Sequence, residues 1–154
     1  MVTSASIGPA CGEHGLHQLP DTPWSVRISL GTAARPAMEI YAGQTLLDVV
    51  VATPLAAGIL RGARRAFWEG RPQAIAWGRR PESSSPITVR FSRGRGRFGQ
   101  GGLGGQGGLG GQAAQAIPVA GWFWVAAADG RFGAVTITHQ GLSEQRRIAA
   151  VHAR

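Results

Sequence analysis

The residues best equipped for chemistry in this chain are arginines. Arg61, Arg64, Arg65 and Trp68 fall at helical spacing within LRGARRAFWE, and Arg79, Arg80, Arg90, Arg93, Arg95 and Arg97 follow. A guanidinium directs paired N–H donors at phosphate oxygens, and an exposed indole stacks on an unpaired base. Such groups together suit a polyanion, either nucleic acid or an acidic protein. Between residues 61 and 97 ten arginines face two acids, Glu69 and Glu82, while the other six arginines are balanced by six acids. The whole formal net charge of +8 therefore sits in one window. A field of this kind draws polyanions, although a solvated helix face has the same pattern and needs no partner. All 16 basic residues are arginine, the drift of a GC-rich bacterial coding sequence, so placement says more than identity. No segment has the pattern of a helix-turn-helix, a zinc finger or an RNP signature. Contact would therefore be with a nucleic-acid backbone, without sequence specificity.

Other constellations carry less. CGEHGLH places Cys11, His14 and His17 at C-x2-H-x2-H spacing, but a structural zinc needs four ligands, and His139 and His152 lack motif spacing. No metal and no cofactor is expected. There is no nucleophile elbow, no GxxxxGK, no HExxH and no close carboxylate pair. The glycines of RGRGRFGQGG precede a six-residue repeat rather than a helix, so they are not a dinucleotide fingerprint. The expected function is a non-catalytic binding or accessory module, with a small enzyme of unknown reaction the least favoured alternative. A single cysteine fits a reducing compartment, MVTSASIGPACGEHG lacks the regions of a signal peptide, and no apolar run is long enough for a membrane span. These features point to the cytoplasm and to no membrane partner.

The elements that must position these groups follow from periodicity. Residues 1–22 have no apolar period and read as a disordered arm. In WSVRISL the residues Trp24, Val26, Ile28 and Leu30 alternate with polar ones, and AMEIY resumes the alternation, which predicts a hairpin. TLLDVVVA, residues 45–52, reads as a buried strand. Thr53-Pro54 then looks like an N-cap with proline in the first turn, Gly70 like a C-terminal stop, and Leu55, Ala56, Ile59, Leu60, Ala63, Ala66 and Phe67 form one apolar arc. An amphipathic helix over residues 54–69 is predicted. Short strands follow at QAIAW and ITVRF. IPVAGWFWVAA and RFGAVTIT are predicted to pair through a type I′ turn at Asp129-Gly130, setting Trp124 opposite Val135, Trp122 opposite Ile137 and Phe123 opposite Thr136. Residues 145–151 add a strand in preference to a short helix capped by Ser143. The predicted fold is α+β: a mostly antiparallel sheet of about seven or eight strands, with one amphipathic helix on a face, in a single domain over residues 23–154.

Two further expectations come from this layout. A flexible Gly-rich loop at about residues 94–116 interrupts the domain; GQGGLG repeats there without charge or aromatics, so only RGRGRF belongs to the basic surface. Phe123, Val125 and Phe132 make the second face of the sheet more apolar than a solvated face should be. Either another layer covers it or it is a self-association surface, with a homo-oligomer as the consequence.

Overall fold

The computed structural model describes residues 15–30, 35–53, 58–93 and 111–151. Among them every regular element is a strand: β1 (Leu16–Gln18), β2 (Trp24–Leu30), β3 (Pro36–Ala42), β4 (Thr45–Val51), β5 (Leu60–Trp68), β6 (Arg71–Arg79), β7 (Thr88–Ser92), β8 (Gly111–Gln115), β9 (Ile117–Val119), β10 (Phe123–Asp129), β11 (Ala134–His139), β12 (Leu142–Arg147) and β13 (Ala149–Ala150). They form an N-terminal sheet in the order β1-β2-β3-β4, a central sheet β13-β5-β6-β10-β9, and a C-terminal sheet β12-β11-β7-β8. Every pairing is antiparallel except the short one between β13 and β5.

The central sheet is buried on both faces, which explains why AIAW and FWVAAA read as nearly continuous apolar runs rather than alternating ones. One face presents Ala63, Ala74, Ala76, Ala126 and Ala128, and against these small residues pack Val89, Phe91, Val135 and Ile137 of the C-terminal sheet. The other presents Ile75, Trp77, Phe123 and Val125 to Trp24, Val26, Met38, Ile40 and Val50 of the N-terminal sheet. The result is three layers with two cores. Glycine makes room for the largest side chains: a Cβ on Gly62 would strike the Trp77 ring, and one on Gly78 would overlap the Ile59 carbonyl oxygen and crowd Trp124. The Trp77 indole donates to Asp48 Oδ2 at 3.0 Å, a charge-assisted bond that ties the central sheet to the N-terminal one.

The α+β expectation is thus overturned. Residues 54–57 of the predicted helix lie outside the described residues, and residues 60–68 of it are strand β5, paired with β6 along its length. The alternation of β5 is hidden by a register shift between Leu60 and Gly62. Only beyond that irregularity do Ala63, Arg65 and Phe67 fall on one face and Arg64, Ala66 and Trp68 on the other. Pairing with β6 along the length of the strand outweighs the helical arc. Gly70 is no helix stop either: Glu69 (φ 49°) and Gly70 (φ 75°) form the turn between β5 and β6, with two left-handed residues in succession.

The hairpin predicted at Asp129-Gly130 is also overturned. Strand β10 pairs with β6 and β9, whereas β11 pairs with β7 and β12. At Gly130 (φ 139°) the chain leaves the central sheet for the C-terminal one, its N–H donating to the Pro72 carbonyl at 2.9 Å. Paired positive φ values, the mark of tight hairpin turns, occur instead at Glu69-Gly70, Ala120-Gly121 and Gln140-Gly141. Trp124 does meet Val135 and Ile137 in one core, but across layers rather than along a ladder. Trp122 is 56% exposed.

The segment read as an arm contributes β1, which pairs with β2, and Leu19, which is buried; residues 1–14 lie outside the described residues. Of the Gly-rich stretch, residues 94–110 lie outside them too, while residues 111–115 form β8 beside β7. Among the described residues no helix is long and apolar enough to cross a membrane.

Candidate polyanion-binding face

The site builds from the alternation of the C-terminal sheet. Val89 and Phe91 of β7, and Val135 and Ile137 of β11, point into the core. Thr88, Arg90 and Ser92, and Ala134, Thr136 and Thr138, therefore point outward, in the register Thr136↔Arg90, Thr138↔Thr88 and Ala134↔Ser92. From β12 the same face receives Ser143, Gln145 and Arg147, opposite Thr138, Thr136 and Ala134. From β8 it receives Gln115, Ala113 and Gly111. Gly111 matters for Arg90, because a Cβ there would press on the Arg90 side chain lying across it.

Among the described residues this face holds two exposed arginines, Arg90 and Arg147, hydroxyls and amides, no carboxylate and no aromatic ring. Arg93 is exposed just past the end of β7. The carboxylate nearest in sequence, Glu144, lies on the opposite side of β12 and accepts the backbone N–H groups of Ile59 (2.8 Å) and Leu60 (2.9 Å). Its charge is spent on β5. What remains outside is a flat row of guanidinium, hydroxyl and amide donors, the groups that contact phosphate and sugar.

The other arginines of the sequence window do not gather. Arg61 is exposed at the irregular start of β5. Arg64 and Arg65 sit on opposite faces of that strand: Arg64 lies over Trp77 at 6.0 Å and donates to the Ala63 carbonyl, and Arg65 donates to the Phe132 carbonyl at 3.4 Å. Trp68, 38% exposed, ends β5 opposite Arg71. With Phe67 and Arg131, whose guanidinium lies 5.6 Å from the Phe67 ring centre, it borders a groove of about 710 Å³. Glu69 and Asp129 lie at this same end, so its cations are partly offset. Arg79 and Arg80 lie at the far end of β6, beside Trp122. Arg95 and Arg97 lie outside the described residues.

Phe123, Val125 and Phe132 supply no outer surface. Phe123 and Val125 are buried under the N-terminal sheet, and Phe132 is buried in the other core, 5.5 Å from Phe91 between ring centres. The second apolar face is covered by the chain's own third layer. Among the described residues no group of three His, Cys, Asp or Glu could hold a metal; Cys11 and His14 lie outside them. His139 is buried, its Nε2 2.9 Å from Ser83 Oγ.

The basic window of the sequence includes Arg90 of this face but not Arg147, because the arginines outside the window are balanced on paper by distant acids. The signal was present in LSEQRR: read as a strand, it puts Ser143, Gln145 and Arg147 on one side and Glu144 on the other. Comparison of the chain with known protein families, with curated proteins and with solved structures finds no match.

Proposed function

We infer that this protein is a non-catalytic binding module that holds a nucleic-acid backbone on the outer face of its C-terminal sheet. The observation that carries this reading is the placement of Arg90 and Arg147 on a sheet face that shows no carboxylate among its described residues, with Arg93 exposed just past the end of β7. Guanidinium groups take the phosphate oxygens, and the rows of Ser, Thr and Gln supply neutral donors between them. With no ring among the described residues of the face to stack on a base, recognition is blind to sequence and does not require an unpaired strand.

Affinity is then of the order of 10⁻⁴ to 10⁻⁶ M at physiological salt, with about 2 to 3 phosphates neutralised and a log–log salt slope of about −2 to −3. The test is a fluorescence-anisotropy titration of labelled duplex and single-stranded DNA at low salt. Equal binding of both, lost in R90E/R147E with a shallower salt slope, is expected. Absence of binding at low salt, or unchanged binding by that variant, overturns the reading.

A further inference from the structure

We propose that the cavity at the end of the central sheet away from the β5–β6 turn binds a small ligand in which a flat ring carries a phosphate, a nucleoside monophosphate being the simplest. The cavity measures about 600 Å³ and is bordered by Arg79, Arg80, Glu82, Ser83, Ser84 and Trp122. Small-ligand sites span roughly 300 to 1,000 Å³.

Its walls are held in place without a ligand. Beyond the last register pair of β6 and β10, the Arg80 N–H still donates to the Trp122 carbonyl at 2.8 Å, which keeps these two residues side by side. Trp122 is set by the turn Ala120-Gly121, closed by its own N–H on the Val119 carbonyl at 3.2 Å. Ala120 has φ 51° and Gly121 φ 73°, so a non-glycine residue occupies the left-handed region in order to bring the chain round here. The loop that makes the opposite wall is pinned twice onto the β11–β12 turn: Ser83 Oγ to His139 Nε2 at 2.9 Å, and Gln140 Nε2 donating to Ser85 Oγ at 3.3 Å.

The groups facing the cavity divide into two kinds. Trp122, 56% exposed, offers an indole face to a planar ring. Arg80, exposed beside it, offers a bidentate fork to a phosphate, with the Ser84 hydroxyl as a neutral donor in the same wall. When His139 carries its proton on Nε2 and donates it to Ser83 Oγ, the Ser83 hydroxyl proton is also available to the anion. Glu82 is the counterweight: it accepts a hydroxyl of the ligand and opposes added negative charge, so one phosphate suits the site better than three.

The probe is AMP, titrated calorimetrically into the full chain, with adenosine, inorganic phosphate and ATP as controls. Saturable AMP binding is expected, tighter than adenosine, phosphate or ATP. It should fall by about tenfold or more in W122L and in R80Q, a tenfold change being 1.4 kcal/mol. In R80Q, AMP and adenosine should bind alike, because the phosphate has lost its partner. Both positions are at the surface, and an unchanged melting temperature confirms folding; should W122L fail to fold, the AMP-to-adenosine ratio in R80Q decides. No saturable AMP binding, or variants that bind as the parent does, overturns the proposal.

A phosphorylated strand end presents the same chemistry as the free nucleotide. Displacement of AMP by a 5′-phosphorylated oligonucleotide but not by its unphosphorylated twin supports the site with a strand end as source, and displacement by neither supports it with the free nucleotide. Equal displacement by both overturns it. R90E/R147E should leave AMP binding unchanged, which separates this cavity from the sheet face.

Discussion

The two outer sheets are alike in size and opposite in surface. Each has four antiparallel strands packed by one face on the central sheet. On the N-terminal sheet the outward arginine, Arg27, faces Glu39 across the ladder and is closed into a triad: Arg27 Nε donates to Glu39 Oε2 at 2.6 Å, Arg27 Nη2 to the Tyr41 hydroxyl at 3.0 Å, and Tyr41 to Glu39 at 2.6 Å. Leu16, Leu46, Val49 and Val51 surround it, all more than 40% exposed. On the C-terminal sheet the corresponding partners of Arg90 are Thr136 and Ala113, and the carboxylate of Glu144 is turned inward. Placement of a single acid along a strand, odd or even, decides whether an arginine is neutralised within the fold or has no acid opposite it. Net charge does not register that difference.

The comparison can be broken first at its foundation, since both outer sheets lean on the same middle layer. Gly78→Ala would drive a methyl into the Ile59 carbonyl, and should cost about 3 kcal/mol or more and destroy both surfaces together. A loss of unfolding free energy below about 1 kcal/mol, measured by chemical denaturation, would refute the close packing described. R90E/R147E comes next. It should weaken DNA binding about tenfold or more while stability changes by less than about 0.5 kcal/mol, because both side chains lie off the core.

Arg27→Ala on the other face should leave DNA binding untouched and cost less than about 1 kcal/mol, as befits a partly exposed pair. It also has a pH signature. The Tyr41 hydroxyl bond, assisted by Arg27 and opposed by burial, holds the Glu39 carboxyl below its ordinary 4.5, so its stabilising contribution is present above that value and fades as acid is added below it. The bond to Glu39 raises the Tyr41 phenol above 10.0, so that contribution is present below 10.0 and fades in stronger alkali. In R27A the Glu39 carboxyl should lie nearer 4.5, so the stability lost on acidification below that pH should be smaller than in the parent, measured by denaturation at a series of pH values. Deleting residues 99–108 should do least: shortening the connection alters closure entropy by no more than about 1 kcal/mol, and DNA binding should persist. A large loss would mean that the repeat takes part in the contact.

Strands with one face in water were legible in sequence, because burial on a single side imprints a period of two. WSVRISL is β2, AMEIY lies within β3, and ITVRF overlaps β7. Strands of the middle layer were harder. With both sides covered, AIAW and FWVAAA carry no alternation, and β5, its register shifted at Gly62, mimics a helix. Partner choice was harder still: nothing local in FWVAAAD says that it pairs with β6, whose partner residues lie 44 to 56 positions earlier in the chain, rather than with the strand that follows. For the same reason the basic window dispersed. Its arginines were adjacent in sequence on strands that alternate face, while Arg147 joined Arg90 only through the long-range pairing of β11 with β7.

Gathering the middle layer from separate stretches of chain has a consequence for synthesis. β5 and β6 emerge early from a ribosome, yet β10, which lies between β6 and β9, follows more than forty residues later. Until then the N-terminal sheet has only half of the surface it is shaped to cover, and Ile75 and Trp77 lack Val125 and Phe123 as neighbours. A nascent chain of this protein therefore carries an incomplete apolar layer while the forty-odd residues between β6 and β10 are made. Its yield in a cell should depend on how quickly the stretch after the glycine repeat is delivered, and on what shields that layer meanwhile.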